Sequence, residues 1–479
     1  MQNFLRPPVQ KERSQFAILI TSNMTDSDSL ATRLTQHNTR FVRLLWCDNG
    51  NIIRGKAFHR QFLDEHRDWG IGISMAQQAV PVMVDGVAAD SGLGPVGEVW
   101  LVPDWETLTP LPYAPGHARV MADLHLGGQL GGQSGRQPWS LCPRSFLKRM
   151  LARLEQETGL RAMAAFEPEF YLLRLDEAGQ MHPADRTPFA ATLAMDLNRV
   201  LIDDIADALV TQGILVERYY PESGPGQHEI AVRYGDALRA ADSQIALRET
   251  VRGVALRHGL RASFLPKIFA DQAGSGCHLH LSLWRDGVNV LPEAGRPGTL
   301  SAIALHFIGG ILHHLPALMA VTTPSPNSYR RLQPQSWSGA FRAWGMDNRE
   351  AAVRVPSNPH PPSPTHVELK TVDASANPYL ALGAVIAAGL DGIQQRREPG
   401  EPVAVDPATL TEAERQTRQI DRLPANLGEA IAHLSQSTVL LNALGPDLAR
   451  AFLAVRRAEW SALGSLELEE EVQWLLERY

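Results

Sequence analysis

The chain of 479 residues reads as an α+β protein: a small strand-rich first domain, then a larger body in which strands and apolar helices alternate. Three observations predict this. Residues 41–46, 96–102 and 118–124 carry strand-type alternation with few helix signals between them. Beyond about residue 136 helix starts and stops become frequent. In the body, short stretches set acidic or imidazole side chains alternately with apolar ones, which gives each one polar and one greasy face.

Taken in order, residues 1–25 are polar and mixed, as expected of a flexible tail. Residues 26–135 form the first domain, closing on Gly127-Gly128-Gln129-Leu130-Gly131-Gly132-Gln133-Ser134-Gly135, a hairpin or linker. Residues 136–479 form the body. Its first helix has Pro143 in the first turn, Phe146, Leu147, Met150, Leu151 and Leu154 on one face, and Gly159 as the stop. A second is framed by Asp242 as cap and Gly259 as terminator, with Ile245, Val251 and Val254 turned inward. The apolar stretches 302–322, broken by His306, His313 and His314, and 379–390 read as buried helices rather than membrane spans. Pro361-Pro362-Ser363-Pro364 reads as a stiff loop.

With 44% hydrophobic and 20% charged residues the chain is neither disordered nor fibrous, and a net charge of -7 gives no attraction for nucleic acid or anionic membrane. Cys47, Cys142 and Cys277 are too few and too scattered for a disulfide framework or zinc cluster. The N-terminus, whose only apolar run is 16–20, lacks the core of a signal peptide. A cytoplasmic protein is expected.

The chemistry concentrates on six residues. Glu167 and Glu169 stand two apart in Ala165-Phe166-Glu167-Pro168-Glu169-Phe170-Tyr171 and so share one strand face. His278 alternates with leucines in Cys277-His278-Leu279-His280-Leu281-Ser282-Leu283, Glu229 with Ile230 and Val232, and Glu368 with Val367 and Leu369. Together with Glu222 they supply five carboxylates and an imidazole to one cavity, each expected on a short strand. Such a set repels itself unless cations neutralise it, and oxygen-rich ligands with one imidazole suit Mg2+ or Mn2+ better than zinc.

Further strings complete a pattern: Phe264-Leu265-Pro266-Lys267 before Gly274-Ser275-Gly276-Cys277-His278-Leu279-His280, and Asn327-Ser328-Tyr329-Arg330-Arg331-Leu332 after a helix. Gly224-Pro225-Gly226-Gln227-His228-Glu229, Asn348-Arg349-Glu350-Ala351-Ala352-Val353-Arg354 and Ser375-Ala376-Asn377-Pro378-Tyr379-Leu380 extend it. In this order and spacing, from about residue 40 to the end, the chain resembles the glutamine synthetase family, in type closest to its glutamate–amine ligases. The resemblance implies a β-grasp-like first domain and a catalytic domain whose curved antiparallel sheet, backed by helices, forms a funnel taking ATP at one end and glutamate at the other. It implies that Glu169, Glu222 and Glu229 hold one metal ion and Glu167, His278 and Glu368 a second. Glu217, Tyr234, His280 and Ser282 fall at nucleotide positions, Gly274 and Arg331 at glutamate positions, and Arg349 and Arg354 where arginines face the transferring phosphate. Asp48 matches an aspartate that one subunit lends to its neighbour, which implies a homo-oligomeric ring with shared sites.

Four departures bear on the substrate. Ammonia-using members carry a glutamate six residues after the equivalent of Arg331, and here that flap position is Trp337, which cannot accept a proton from ammonium. The exchange points to a primary amine or polyamine as acceptor, in the manner of γ-glutamylpolyamine synthetases. Lys370 replaces an arginine of the glutamate pocket, trading a planar fork for a point charge. Ala273 replaces an asparagine and Ile268 a proline. If Trp337 only packs, Glu350 beside Arg349 is the anion available, and ammonia stays open as substrate. A non-catalytic metabolite-binding relative and a two-metal hydrolase are the other readings; neither explains paired ligands beside Arg331, Arg349 and Arg354. The stretch 397–410 has no tyrosine for adenylylation. Arg330 reads as a surface charge and Cys277 as a small buried side chain.

Overall fold

The computed structural model describes residues 26–127, 135–177, 180–296, 298–357 and 365–479. The expected tail 1–25, most of the glycine-rich stretch 127–135 and the prolines of 361–364 lie outside the described residues.

Strands Phe41–Cys47, Ile53–His59, Ile71–Ser74, Glu98–Pro110 and His117–Leu126 build the first sheet. Phe41–Cys47 lies between Ile53–His59, antiparallel to it, and His117–Leu126, parallel to it. Val42, Leu44, Val99, Leu101, Val120 and Leu124 alternate onto one buried face, where Leu30 and Leu34 of helix Asp26–Gln36 cover them. A helix laid across a short mixed sheet is the β-grasp-like arrangement expected.

The second sheet has eleven strands and is organised by Arg161–Leu175. On one side this strand pairs antiparallel with Cys277–Arg285, and the sheet continues through Val367–Leu369, Ala351–Val355 and Phe341–Met346. On the other it pairs with Gln227–Val232 and then Val216–Pro221. All of these pairs are antiparallel except Phe341–Met346 with Ala351–Val355, which is parallel.

Helices Pro143–Thr158, Ala237–Arg257, Ala302–Thr322 and Pro378–Gln395 cover the apolar side in one continuous core. Ala302–Thr322 is long and apolar enough to cross a membrane, but two thirds of it is buried in this core. Glycines allow its close approach to Pro378–Gln395: a Cβ on Gly310 would lie 2.2 Å from the Ala388 carbonyl oxygen, and one on Gly392 2.2 Å from that of His306.

Helix Pro143–Thr158 stops at Gly159 as expected, in a left-handed conformation with φ 69°. The next helix differs from expectation. It begins at Ala237, capped by Asp236, whose side chain accepts from the Leu238 N–H at 3.1 Å. Asp242 lies inside the helix, buried, bonded to Arg144 Nε at 2.9 Å and to the Tyr379 hydroxyl at 2.7 Å. Its partners are distant in sequence, so a local capping rule misassigns it.

Candidate active site

Strand register assembles the acidic set. Glu167 and Glu169 project from one face of Arg161–Leu175; His278 stands opposite Glu167 on one neighbouring strand and Glu229 opposite Glu169 on the other. Glu368 stands opposite His280. Glu222 is not on a strand: Val216–Pro221 ends one residue earlier, and Glu222 opens the turn that the Glu222 N–H closes on the Gln227 carbonyl at 2.8 Å. The turn points this carboxylate back over the sheet, which alternation alone does not foresee.

Two groups of three donors result. Donor atoms of Glu169, Glu222 and Glu229 lie within 4.8 Å of one another, as do those of Glu167, His280 and Glu368. His278 borders the second group: its Nδ1 is 3.2 Å from Glu368 and 4.0 Å from Glu167, while His280 Nε2 is 3.2 Å from Glu167. Both imidazoles therefore reach these carboxylates. The first group fits a cation: three carboxylates converge there, and Glu229 Oε1 is buried with no hydrogen-bond partner among the described residues.

The electrostatics divide the same way. Burial, with Glu167 and Glu169 close by, pushes the Glu229 carboxyl up to about 11, and burial with Glu169 raises Glu222 to about 7. Glu167 and Glu368 are also desolvated, but His280 beside the first and Lys370 and His278 beside the second hold both below the usual range. One triad is thus short of positive charge and the other already has it.

Arg331 is buried, with Nη2 3.2 Å from His278 Nε2 and 3.3 Å from the Lys370 carbonyl. Glycines make room for it. A Cβ on Gly274 would meet Arg331 Cγ at 2.7 Å, and one on Gly276 would meet Arg331 Nη2 at 2.5 Å. Lys370, just past Val367–Leu369, reaches Glu368 at 3.4 Å. Glu217, Tyr234, His280 and Ser282 all line one cleft, together with Glu167. Arg354, expected to face the transferring phosphate, bonds Glu368 at 2.8 Å. Arg349 is exposed, with its Cζ 5.8 Å from the Trp337 ring centroid, and Trp337 is itself 55% exposed.

Sequence comparison gives this arrangement a lineage. Residues 140–475 match the glutamine synthetase catalytic domain and residues 29–139 the glutamine synthetase N-terminal domain. The chain belongs to the glutamine synthetase family. It is 38% identical to the γ-glutamylpolyamine synthetase GlnA3 of Streptomyces coelicolor, with 92% of this chain and 93% of that protein covered. It is 34% identical to type-1 glutamine synthetase 1 of Dictyostelium discoideum, covering 92% and 90%. A solved GmaS–ADP complex superposes with a TM-score of 0.79 at 32% identity, covering 95% of this chain and all of the other. Glutamine synthetase-family enzymes are ATP-dependent ligases that use divalent metals, and the fold here is theirs.

Asp48 stands apart from the cluster. Its carboxylate is fully enclosed, bonded to Arg54 Nε at 2.5 Å and to the Ile52 N–H at 2.9 Å, and burial raises it despite Arg54. The 375–380 string of the family pattern meets it through Asn377, which caps helix Pro378–Gln395 and donates to the Asp48 carbonyl at 3.0 Å.

Three residues at the site escaped the sequence reading. Arg218 bonds Glu167 at 3.0 Å, and Tyr220 stands opposite Glu229 on the neighbouring strand. His366 lies beside His280 with ring centroids 5.1 Å apart. Period-two spacing was the available signal: 218 and 220 alternate through Val216–Pro221, and 366 is two before Glu368. Arg330 is no loose surface charge: it bonds Glu471 at 2.6 Å and ties down helix Leu468–Leu475.

Proposed function

We propose that this glutamine synthetase-family chain joins the γ-carboxylate of glutamate to the nitrogen of a primary amine or polyamine, with ATP activating the acid. The observation that carries the reading is Trp337, an exposed indole at the flap position where ammonia-using members have a glutamate. The likeness to a γ-glutamylpolyamine synthetase supports it.

Arg331, Gly274 and Lys370 hold glutamate, with the cationic side chains on its carboxylates. Glu217, Tyr234, His280 and Ser282 hold the nucleotide in the cleft that they line. Two or more Mg2+ or Mn2+ ions, held by Glu169, Glu222 and Glu229 and by Glu167, His278 and Glu368, would neutralise the phosphates and the attacking carboxylate. Arg349 and Arg354 stabilise charge on the phosphoryl group in flight. A γ-carboxylate oxygen attacks the terminal phosphorus and ADP leaves; the neutral amine nitrogen then attacks the γ-carbon of the acyl phosphate, the C–O bond to phosphate breaks, and the departing phosphate takes the extra proton from nitrogen. The indole of Trp337 offers that proton no acceptor, and its face suits the cationic, alkyl-bearing end of an organic amine.

A cytoplasmic setting is part of this proposal, supported by the free, buried state of Cys47, Cys142 and Cys277. A homo-oligomeric ring, with the Asp48 segment contributed between subunits, is the proposed assembly. Glutamine synthesis from ammonia is the second reading, favoured by the relatives that bear that name. Phosphate release with glutamate, ATP and a panel of amines that includes ammonia decides between them: turnover with ammonia alone ends the amine reading, and no amine-stimulated ATP cleavage at all favours a non-catalytic relative.

A further inference from the structure

Residues 333–339, which include Trp337, fold as a compact flap with an unfavourable backbone. Gln335 and Trp337 both adopt left-handed conformations, φ 57° and 56°, in side chains that disfavour it. Within the flap, the Ser338 hydroxyl donates to the Gln333 carbonyl at 2.9 Å. What holds Trp337 comes from outside it. The Trp337 N–H donates to Glu350 Oε1 at 2.9 Å. The adjacent Arg349 lies over the Trp337 ring, so two successive residues grip one flap residue by backbone and by ring.

The grip is itself anchored. Asn348 Oδ1 accepts the Glu350 N–H at 3.0 Å, and Asn348 Nδ2 spans the Val403 and Val405 carbonyls at 2.8 and 2.9 Å. Glu350 is thus a carboxylate on a fixed turn that receives the Trp337 amide of a strained loop.

We propose that Glu350 is the latch of this flap: by accepting the Trp337 amide it keeps the flap over the acyl phosphate, excludes water, and fixes the indole that selects the amine. The selectivity part rests on the amine-ligase reading; the latch itself does not. Glu350 acts through Trp337 and is a positioning residue. Without it the strained turn relaxes and water competes with the amine for the γ-carbon, releasing glutamate, ADP and phosphate with no amide formed.

The test compares E350A, which removes the acceptor, with E350Q, which keeps an acceptor oxygen and removes the charge. With E350A, hydrogen exchange of the peptide carrying residues 335–337 should rise about tenfold, the loss of one hydrogen bond's worth of protection. ADP formed per γ-glutamylamide should rise about fivefold, while KM for ATP stays within about twofold. E350Q should stay near the parent in both readouts. Unchanged exchange in E350A overturns the latch, as does E350Q loosening the flap as much as E350A. If only ammonia is turned over, the amine reading fails, yet the exchange comparison still decides the latch.

Discussion

Glu229 stands directly across from Glu169 on adjacent antiparallel strands, and donor atoms of both lie within 4.8 Å of Glu222. Facing acids on a sheet repel one another. Here burial adds to the repulsion, so protein alone holds this triad together only by keeping protons on it, with Glu229 up to about 11 and Glu222 to about 7.

Cation binding should therefore expel protons. At pH 7.5, titration of Mg2+ or Mn2+ into the apoprotein should release about one to two protons per site. Calorimetry in buffers of different ionisation enthalpy measures this number. Release of none would mean that the triad is already ionised.

Stability should follow the linked sign. A carboxyl whose folded pKa is raised binds more protons folded than unfolded, so stability falls as pH rises above the unfolded value of about 4.5. Glu222 and Glu459, each raised to about 7, act up to that pH, and Glu229 acts on toward 11. Between pH 6 and 9 the Tm of the apoprotein should fall, and saturating metal should flatten the fall. Glu229→Gln should raise the apoprotein Tm at pH 8 by a few degrees and abolish metal-dependent ATP cleavage.

The carboxylate pattern made this triad partly legible in the sequence, because strand alternation fixes a face, and Glu167, Glu169, Glu229, His278 and Glu368 obey it. Glu222 obeys a turn instead, and Asp242 answers to Arg144 and Tyr379 rather than to its own helix end. Arg218 and His366 stand at the right period, but an arginine or histidine beside acids reads from sequence as an ordinary surface pair. The Glu350 contact with the flap joins residues 13 apart through a backbone amide, whose direction no side-chain pattern encodes.

The glutamate pocket should depend on two glycines through one arginine. Arg331→Ala should raise the glutamate KM about tenfold to a hundredfold, with little change for ATP. Gly276→Ala, whose Cβ would fall 2.5 Å from Arg331 Nη2, should act in the same direction. Steady-state kinetics with each substrate varied in turn checks both, and an equal effect on the ATP KM would mean that Arg331 belongs to the nucleotide.

Acceptor choice should move with the flap residue. Trp337→Glu should raise kcat/KM for ammonia relative to a polyamine by about tenfold or more. An unchanged ratio would mean that position 337 does not govern acceptor choice.

The most direct test incubates the purified chain with ATP, Mg2+, glutamate and either ammonia or a series of primary amines and polyamines, following ADP and product mass together. An ATP- and metal-dependent γ-glutamylamide of an organic amine, formed faster than glutamine, is the predicted result. Glutamine as the sole product would contradict it.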